Sequence, residues 1–403
     1  MSRRWVVVSL IVLGILISYI DRGNLSIAAP AMMQDFAISP QFMGVLLSAF
    51  FWTYAAFQIP AGAVVDRFGV RSIYAGAFLI WSLASAGIAL AHGPTGVLTL
   101  RMVLGLAEAV GPLASLAYIR RNFSGSEHGL PIALYISGQN LGPACGTLLG
   151  AALLANFGWR VMFAVTGLGA LLWIPFWLAA APHQERKSAV ELQPVTQSPW
   201  GTLVGSRAFW AMCPCVLLFS YYWYFLLTWM PTYLISSRGF STMGMGRILS
   251  TPLFIMAGLN VMSGWVADKL VERVQNVFKI RILFAACGLL GAGAILILDV
   301  LPGRGPVLPV LIVSICSFGI ASSNYWSIVQ HTPPAAMVAR TVGFLNTLSQ
   351  IGGVLAPLVT GWTLGPRKNF TLAIFLAGIC PVISCGLLLL AGPKGLEELK
   401  QRL

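Results

Sequence analysis

Long apolar runs recur along the whole chain, separated by short segments that collect the charges, prolines and glycines. Each run is long enough, as a helix, to cross a hydrocarbon core about 30 Å thick. Read against their breakers, the runs predict twelve helical spans near 5–33, 41–65, 72–91, 96–119, 129–156, 159–181, 208–236, 244–268, 279–299, 306–330, 338–363 and 369–391. The expected fold class is therefore an all-α polytopic membrane protein with two six-helix halves. Residues 1–181 form the first half, 182–207 a cytoplasmic linker, and 208–403 the second half with a short cytoplasmic tail. MSRRW leads straight into apolar sequence without a small-residue cleavage site, so the first run reads as a retained span.

Composition agrees with the pattern. The chain is 57% hydrophobic and 9% charged, against roughly 25% charged in soluble proteins. That excludes an ordinary water-soluble domain. A formal net charge of +13 raises the question of nucleic acid, but the charges sit in short loops and not along an aromatic-interleaved stripe. No nucleic-acid partner is expected. With the N-terminus inside, 17 of the 25 Lys and Arg fall on the cytoplasmic side, six outside, and only Arg22 and Arg101 within spans. This positive-inside bias puts both termini in the cytoplasm. The seven cysteines lie in apolar runs and the histidines at loops or span ends, without metal-ligand spacing. No metal or cofactor is expected, and no enzyme, because no nucleophile or acid/base constellation stands out.

A weak repeat links the halves. GAVVDRFGVR begins at Gly62 after the second span, and GWVADKLVER at Gly264 after the eighth. Parallel repeats of this kind are one construction plan of secondary transporters.

Four charges remain inside spans: Asp21 and Arg22 in the first, Arg101 and Glu108 in the fourth. A charge at the bilayer centre costs roughly 2.5–3.5 kcal/mol on insertion scales, so such groups face a bundle interior or a watery cavity and find partners. Arg101 and Glu108, seven residues apart, share one helix face. Asp21 and Arg22 are adjacent, point about 100° apart, and must each look to another element. The economical arrangement pairs one acid with an arginine and leaves at least one arginine for an anion. Tyr54 and Gln58, Gln139 and Asn140, SSNYW at 322–326, and Asn346 with Gln350 supply polar company on other spans, with Tyr54, Tyr325 and Trp326 as candidate walls. Gly138, Gly142 and Gly146 around Pro143 read as a helix-packing ridge.

Taken together, the twelve spans, the GAVVDRFGVR loop with its weaker copy and the GPACG bend resemble the major facilitator superfamily over essentially the whole chain. Within it, IDRGNLSIA, RMVLGLAEA and SGQNLGP are similar to the anion:cation symporter family, which includes bacterial permeases for hexonates, hexuronates and glucarate. The resemblance implies that Asp21 and Glu108 handle protons, that Arg22, the arginine after the first acid, binds the substrate carboxylate, and that Arg101 is the fourth-span arginine that pairs with the acid. It further implies that Tyr54, Gln139 and Asn346 hold sugar-acid hydroxyls, and Ser323 and Trp326 match the family's substrate-binding serine and tryptophan of the tenth span. Asp66, Arg67 and Arg71 match the family's cytoplasmic gate, and Asp268 stands at its second copy. Two departures are SEHGLP at 126–131 and EAVGPLAS from Glu108, which differ from the usual family pattern.

The expected function is proton-coupled symport of an organic anion, a hexonate, hexuronate or aldarate, by a monomer in the cell (inner) membrane. Its partners are the anion, protons and the lipid bilayer. Transport of another carboxylate, such as an aromatic acid or a tartrate-like anion, and uncoupled anion transport stay open as alternatives.

Overall fold

The computed structural model describes residues 2–123, 127–182, 200–333, 338–365 and 369–402. Most of the expected linker, 183–199, and with it His183, lies outside them.

Every predicted span is helical. Among the described residues, eleven helical stretches are long and apolar enough to cross a membrane. One of these, Gly129–Ala180, spans 52 residues and holds two crossings. The chain turns within it at Gly158, whose φ of 79° and ψ of 169° lie where a side chain would be strained and glycine is not. Twelve spans result. The first helix, Arg3–Asp35, has 33 residues, about 50 Å at 1.5 Å per residue. It outruns the hydrocarbon, so its charged ends stand clear of it. Pro40–Phe68 starts where the chain supplies Ser39 as N-cap, accepting from the Phe42 N–H at 3.3 Å, with proline in the first turn.

Two compact units are formed, one by Met1–Ala189, Leu227–Ser250 and Pro357–Lys368, the other by Val190–Leu226, Thr251–Ala356 and Asn369–Leu403. Small residues draw the helices of the first unit together. A Cβ placed on Gly138, Gly142, Gly146 or Gly150 would come within 2.5–2.9 Å of Ile15, Tyr19, Ile20 or Ile27 of the first span. The ridge read from the sequence is thus the seam on which spans one and five meet. Lipid gives helices no hydrophobic reason to associate, so close approach and dispersion do that work. Between spans three and six, Phe78 stacks on Trp173 at 4.1 Å and Trp173 on Trp177 at 5.0 Å, with Tyr74 edge-on to both tryptophans. The indole N–H groups are satisfied, Trp173 donating to the Leu10 carbonyl and Trp177 to that of Arg71.

In the second unit, spans nine (Val277–Ala292) and ten (Val307–His331) pack where Gly288 and Gly291 face Ser317. Phe219 and Trp223 of the seventh span stack on Phe318. Tyr325, a candidate wall from the sequence, is fully buried and donates to the Met212 carbonyl, so it belongs to the core. Arg281, counted from the sequence as a loop charge, is 6% exposed inside the ninth span.

Because the seam leaves no room for a side chain, Gly142→Leu is expected to destabilise the fold by overpacking, typically about 1–3 kcal/mol. Thermal unfolding in detergent with size-exclusion yield measures this, and Gly169→Leu, where a Cβ meets nothing within 4 Å, is the control expected to behave as the parent.

Candidate functional site

The first span delivers Ser18, Tyr19, Asp21, Arg22 and Asn24 over less than two turns. Adjacent side chains diverge on a helix, and here they serve different neighbours. Arg22 turns to the fourth span, where its Nε lies 2.6 Å from Oε2 of Glu108. Ser18, one turn before Arg22, donates to the same oxygen at 2.7 Å. The Glu108 side chain has no solvent exposure and that of Arg22 has 14%. Asp21 turns instead to the third span, accepting from Ser85 Oγ at 3.0 Å, with Asn24 Nδ2 at 3.5 Å. Asn24 is itself tied to Thr166 of the sixth span at 2.9 Å.

Aromatic rings complete the arginine's surroundings. Its guanidinium carbon lies 4.7 Å from the ring centre of Tyr19, 4.9 Å from Phe50 and 4.7 Å from Tyr54. Such faces attract a cation through the ring quadrupole and do so more strongly where water is scarce. Arg101 sits over Phe50 as well, at 5.3 Å, so one ring serves two arginines. Gly105 makes this possible: a Cβ there would strike the Phe50 carbonyl oxygen, and its absence lets span four press against span two. Thr53 Oγ1 seals the contact by donating to the Met102 carbonyl at 2.7 Å.

Arg101 forms no ion pair among the described residues, and its Nε and Nη1 have no protein hydrogen-bond partner. The sequence left open which acid would pair with an arginine; the pair that forms is Glu108 with Arg22. Asp21 Oδ2, Arg22 Nη2 and Glu108 Oε1 likewise lack protein partners. Buried polar atoms are nearly always paired, so such a concentration marks a place for something polar. What the arrangement offers is two guanidinium groups over one aromatic floor, and two carboxylates of which one competes for an arginine.

Tyr54 belongs to this cluster through its stack on Phe50 and its ring under Arg22. Gln139, on the fifth span, donates to the Tyr135 hydroxyl at 3.1 Å. Ser323, Trp326 and Asn346 lie in the second unit. There Ser323 shares a hydrogen bond with Ser263 at 2.9 Å, Trp326 lies edge-on to Tyr325, and Asn346 is half-buried. At the end of the second helix Asp66 pairs with Arg121 at 2.9 Å and Arg67 lies against Phe68, and in the first turn of the third Arg71 donates to the Leu178 carbonyl at 2.7 Å. Asp268 pairs with Arg281. The sequence pointed to neither Ser85 nor Phe50, since a serine and a phenylalanine in a span carry no signal of their own.

Comparison with known proteins places this geometry in context. The model of the Major Facilitator Superfamily matches residues 11–357. The D-galactonate transporter of Escherichia coli is 28% identical over 417 residues, covering 97% of this chain and 96% of that protein. The hexuronate transporter of Bacillus subtilis is 27% identical, covering 90% and 88%. A rice chloroplastic protein named as a probable anion transporter is 30% identical over 90% of this chain, which spans 64% of that protein's length. Among solved structures, an inward-facing, unoccupied bacterial homologue of the human lysosomal transporter Spinster superposes with a TM-score of 0.77 at 18% identity, covering 100% of this chain and 95% of that one.

Removing one partner of a buried ion pair typically costs about 3–5 kcal/mol, while replacing both by apolar groups is often near neutral. Arg22→Met and Glu108→Leu are each expected to lower the unfolding temperature in detergent. The double variant is expected to recover most of the loss, and additive effects would show that the pair is not coupled.

Proposed function

We propose that this chain, which belongs to the Major Facilitator Superfamily, moves an organic anion across a membrane together with protons, the anion being a sugar acid of the hexonate, hexuronate or aldarate class. Its relatives named for galactonate and hexuronate support the substrate class. The observation that carries the coupling is the Arg22–Glu108 pair at 2.6 Å. One guanidinium cannot give its best bidentate face to two carboxylates at once. With Glu108 ionised, Arg22 is engaged within the protein. With Glu108 protonated, Arg22 is released to a substrate carboxylate, and loss of the proton restores the internal pair and expels the anion. Proton and anion therefore travel together through competition for one arginine.

The remaining assignments follow from position. Asp21, held on the third-span side by Ser85, is the second proton-handling group. Arg101, over the same Phe50 ring, adds positive charge that keeps Glu108 responsive to the substrate. In the first unit Tyr54 and Gln139 are assigned to sugar-acid hydroxyls, and in the second unit Ser323, Trp326 and Asn346 carry the same assignment. Asp66, Arg67 and Arg71 are the gate residues of the first unit, and Asp268 that of the second. The protein works as a monomer in a bacterial inner membrane with both termini in the cytoplasm, where the inward proton gradient drives uptake. An uncoupled anion facilitator would want arginines without acids beside them, and the pairing of Arg22 with Glu108 speaks for coupling.

The test is proton flux in proteoliposomes, followed with a pH-sensitive dye while gluconate, galactonate, glucuronate, glucarate and tartrate are added outside. External alkalinisation is expected with at least one sugar acid and is expected to vanish in Arg22→Ala. Glu108→Gln is expected to keep substrate exchange between equal pools while losing accumulation driven by a pH gradient. Normal gradient-driven accumulation by Glu108→Gln would remove that residue from the mechanism, and silence of the parent across the panel would remove the substrate class.

A further inference from the structure

Among the described residues of the second unit, Arg281 is the one buried cation. Its Nη2 reaches the Asp268 carboxylate, whose side chain is 66% exposed, while the Arg281 side chain is 7% exposed. Its Nη1 donates to Oδ1 of Asn324 on the tenth span at 2.9 Å. Asn324, with no solvent exposure, donates through Nδ2 to the Ile320 carbonyl at 2.9 Å and to Ser323 Oγ at 3.3 Å. Ser323 Oγ meets Ser263 Oγ of the eighth span at 2.9 Å, and Ser263 bonds back to the Asn260 carbonyl at 3.1 Å. A continuous run of hydrogen bonds thus joins an exposed acid at the end of span eight to a half-buried serine deeper in span ten.

The packing that permits it is specific. Spans nine and ten meet through Gly288 and Gly291, where a Cβ would fall 2.5 Å from the Ser317 carbonyl oxygen or against the Ser317 side chain. Spans eight and ten meet at Gly319, whose carbonyl accepts from Asn260 at 3.1 Å. A buried guanidinium is costly unless its donors are used, and two of the three Arg281 nitrogens are used here. An ordinary packing residue would not need a charge. One guanidinium bonds the exposed acid through Nη2 and the buried amide through Nη1, so a movement of the amide carries the guanidinium, and with it the partner of the acid.

We propose that Arg281 and Asn324 are positioning residues that transmit occupancy of Ser323 to the Asp268 gate. The inference rests on the transport reading, in which Ser323 touches substrate and Asp268 is a gate residue. When a substrate hydroxyl engages Ser323, the Asn324 amide loses or gains that partner and shifts its hold on Arg281. The Asp268–Arg281 pair tightens or loosens in response.

The test uses the full chain in nanodiscs, with D-galactonate, D-glucuronate and D-glucarate as probes, and reads hydrogen exchange of the backbone over residues 264–276 by mass spectrometry. In the parent, the transported probe is expected to change exchange in that segment. Coupling between sites is typically 5–150-fold. Asn324→Leu is therefore expected to leave probe affinity within about threefold, abolish the probe-induced change and slow transport about tenfold. Asn324→Asp keeps the shape and adds a carboxylate that competes with Asp268 for Arg281. It is expected to raise exchange of 264–276 even without probe. A merely structural role would lower thermal stability in both variants and leave the probe-induced difference intact, and that result overturns the proposal. So does a parent that transports a probe without any change in 264–276. A parent that transports none of them overturns the transport reading, and this inference falls with it.

Discussion

A carboxylate with no solvent exposure can stay ionised inside a membrane-spanning bundle only if a cation and a hydroxyl reach it, and Glu108 has both in Arg22 and Ser18. Much of the first unit reads as the means to that end. The glycine ridge of span five holds span one at a fixed rotation, so that Ser18 and Arg22 face the fourth span while Asp21 faces the third. Gly105 lets spans two and four close until Phe50 underlies both arginines. The aromatic stack of Tyr74, Phe78, Trp173 and Trp177 fixes span three against span six. Ser85 is thereby kept where Asp21 needs it.

The spans were legible because lipid imposes length and apolarity on every crossing, and those are properties of composition along the chain. The turn at Gly158 was legible for the same reason, as a gap between two apolar runs. Which charges lie inside was equally plain for Asp21, Arg22, Arg101 and Glu108, since each sits far from any loop. Partner choice was not. Seven residues put Arg101 and Glu108 on one face but also about 10 Å apart along the axis, a span that side chains bridge less readily than the gap between packed helices. The partner came from the neighbouring span, and helix rotation decides that, not spacing within a helix. Arg281 was misread for a related reason. It stands near a span end, where a charge is usually solvated, and only the close packing of spans nine and ten encloses it. Ser85 and Phe50 have no signature in one sequence, because their roles are set by what faces them.

Each unit holds a buried arginine bound to an acid, and the difference between the acids separates their tasks. Glu108 is wholly enclosed and Asp268 is 66% exposed. Coulomb attraction at a given distance is several-fold larger in a partly desolvated interior than near water, and exposed pairs contribute little net stability. Thermal rearrangement alone therefore does not readily open the Arg22–Glu108 pair. It needs its charge removed, which a proton does, or its cation claimed by another carboxylate. Arg281 faces the reverse situation. Its acid is about two-thirds exposed and its other partner is a neutral amide, so less of its hold depends on a desolvated charge pair. The first unit thus holds its arginine on an enclosed acid, and the second on an exposed acid and a buried amide. That division suits a transporter in which the driving ion and the sugar body act on different residues.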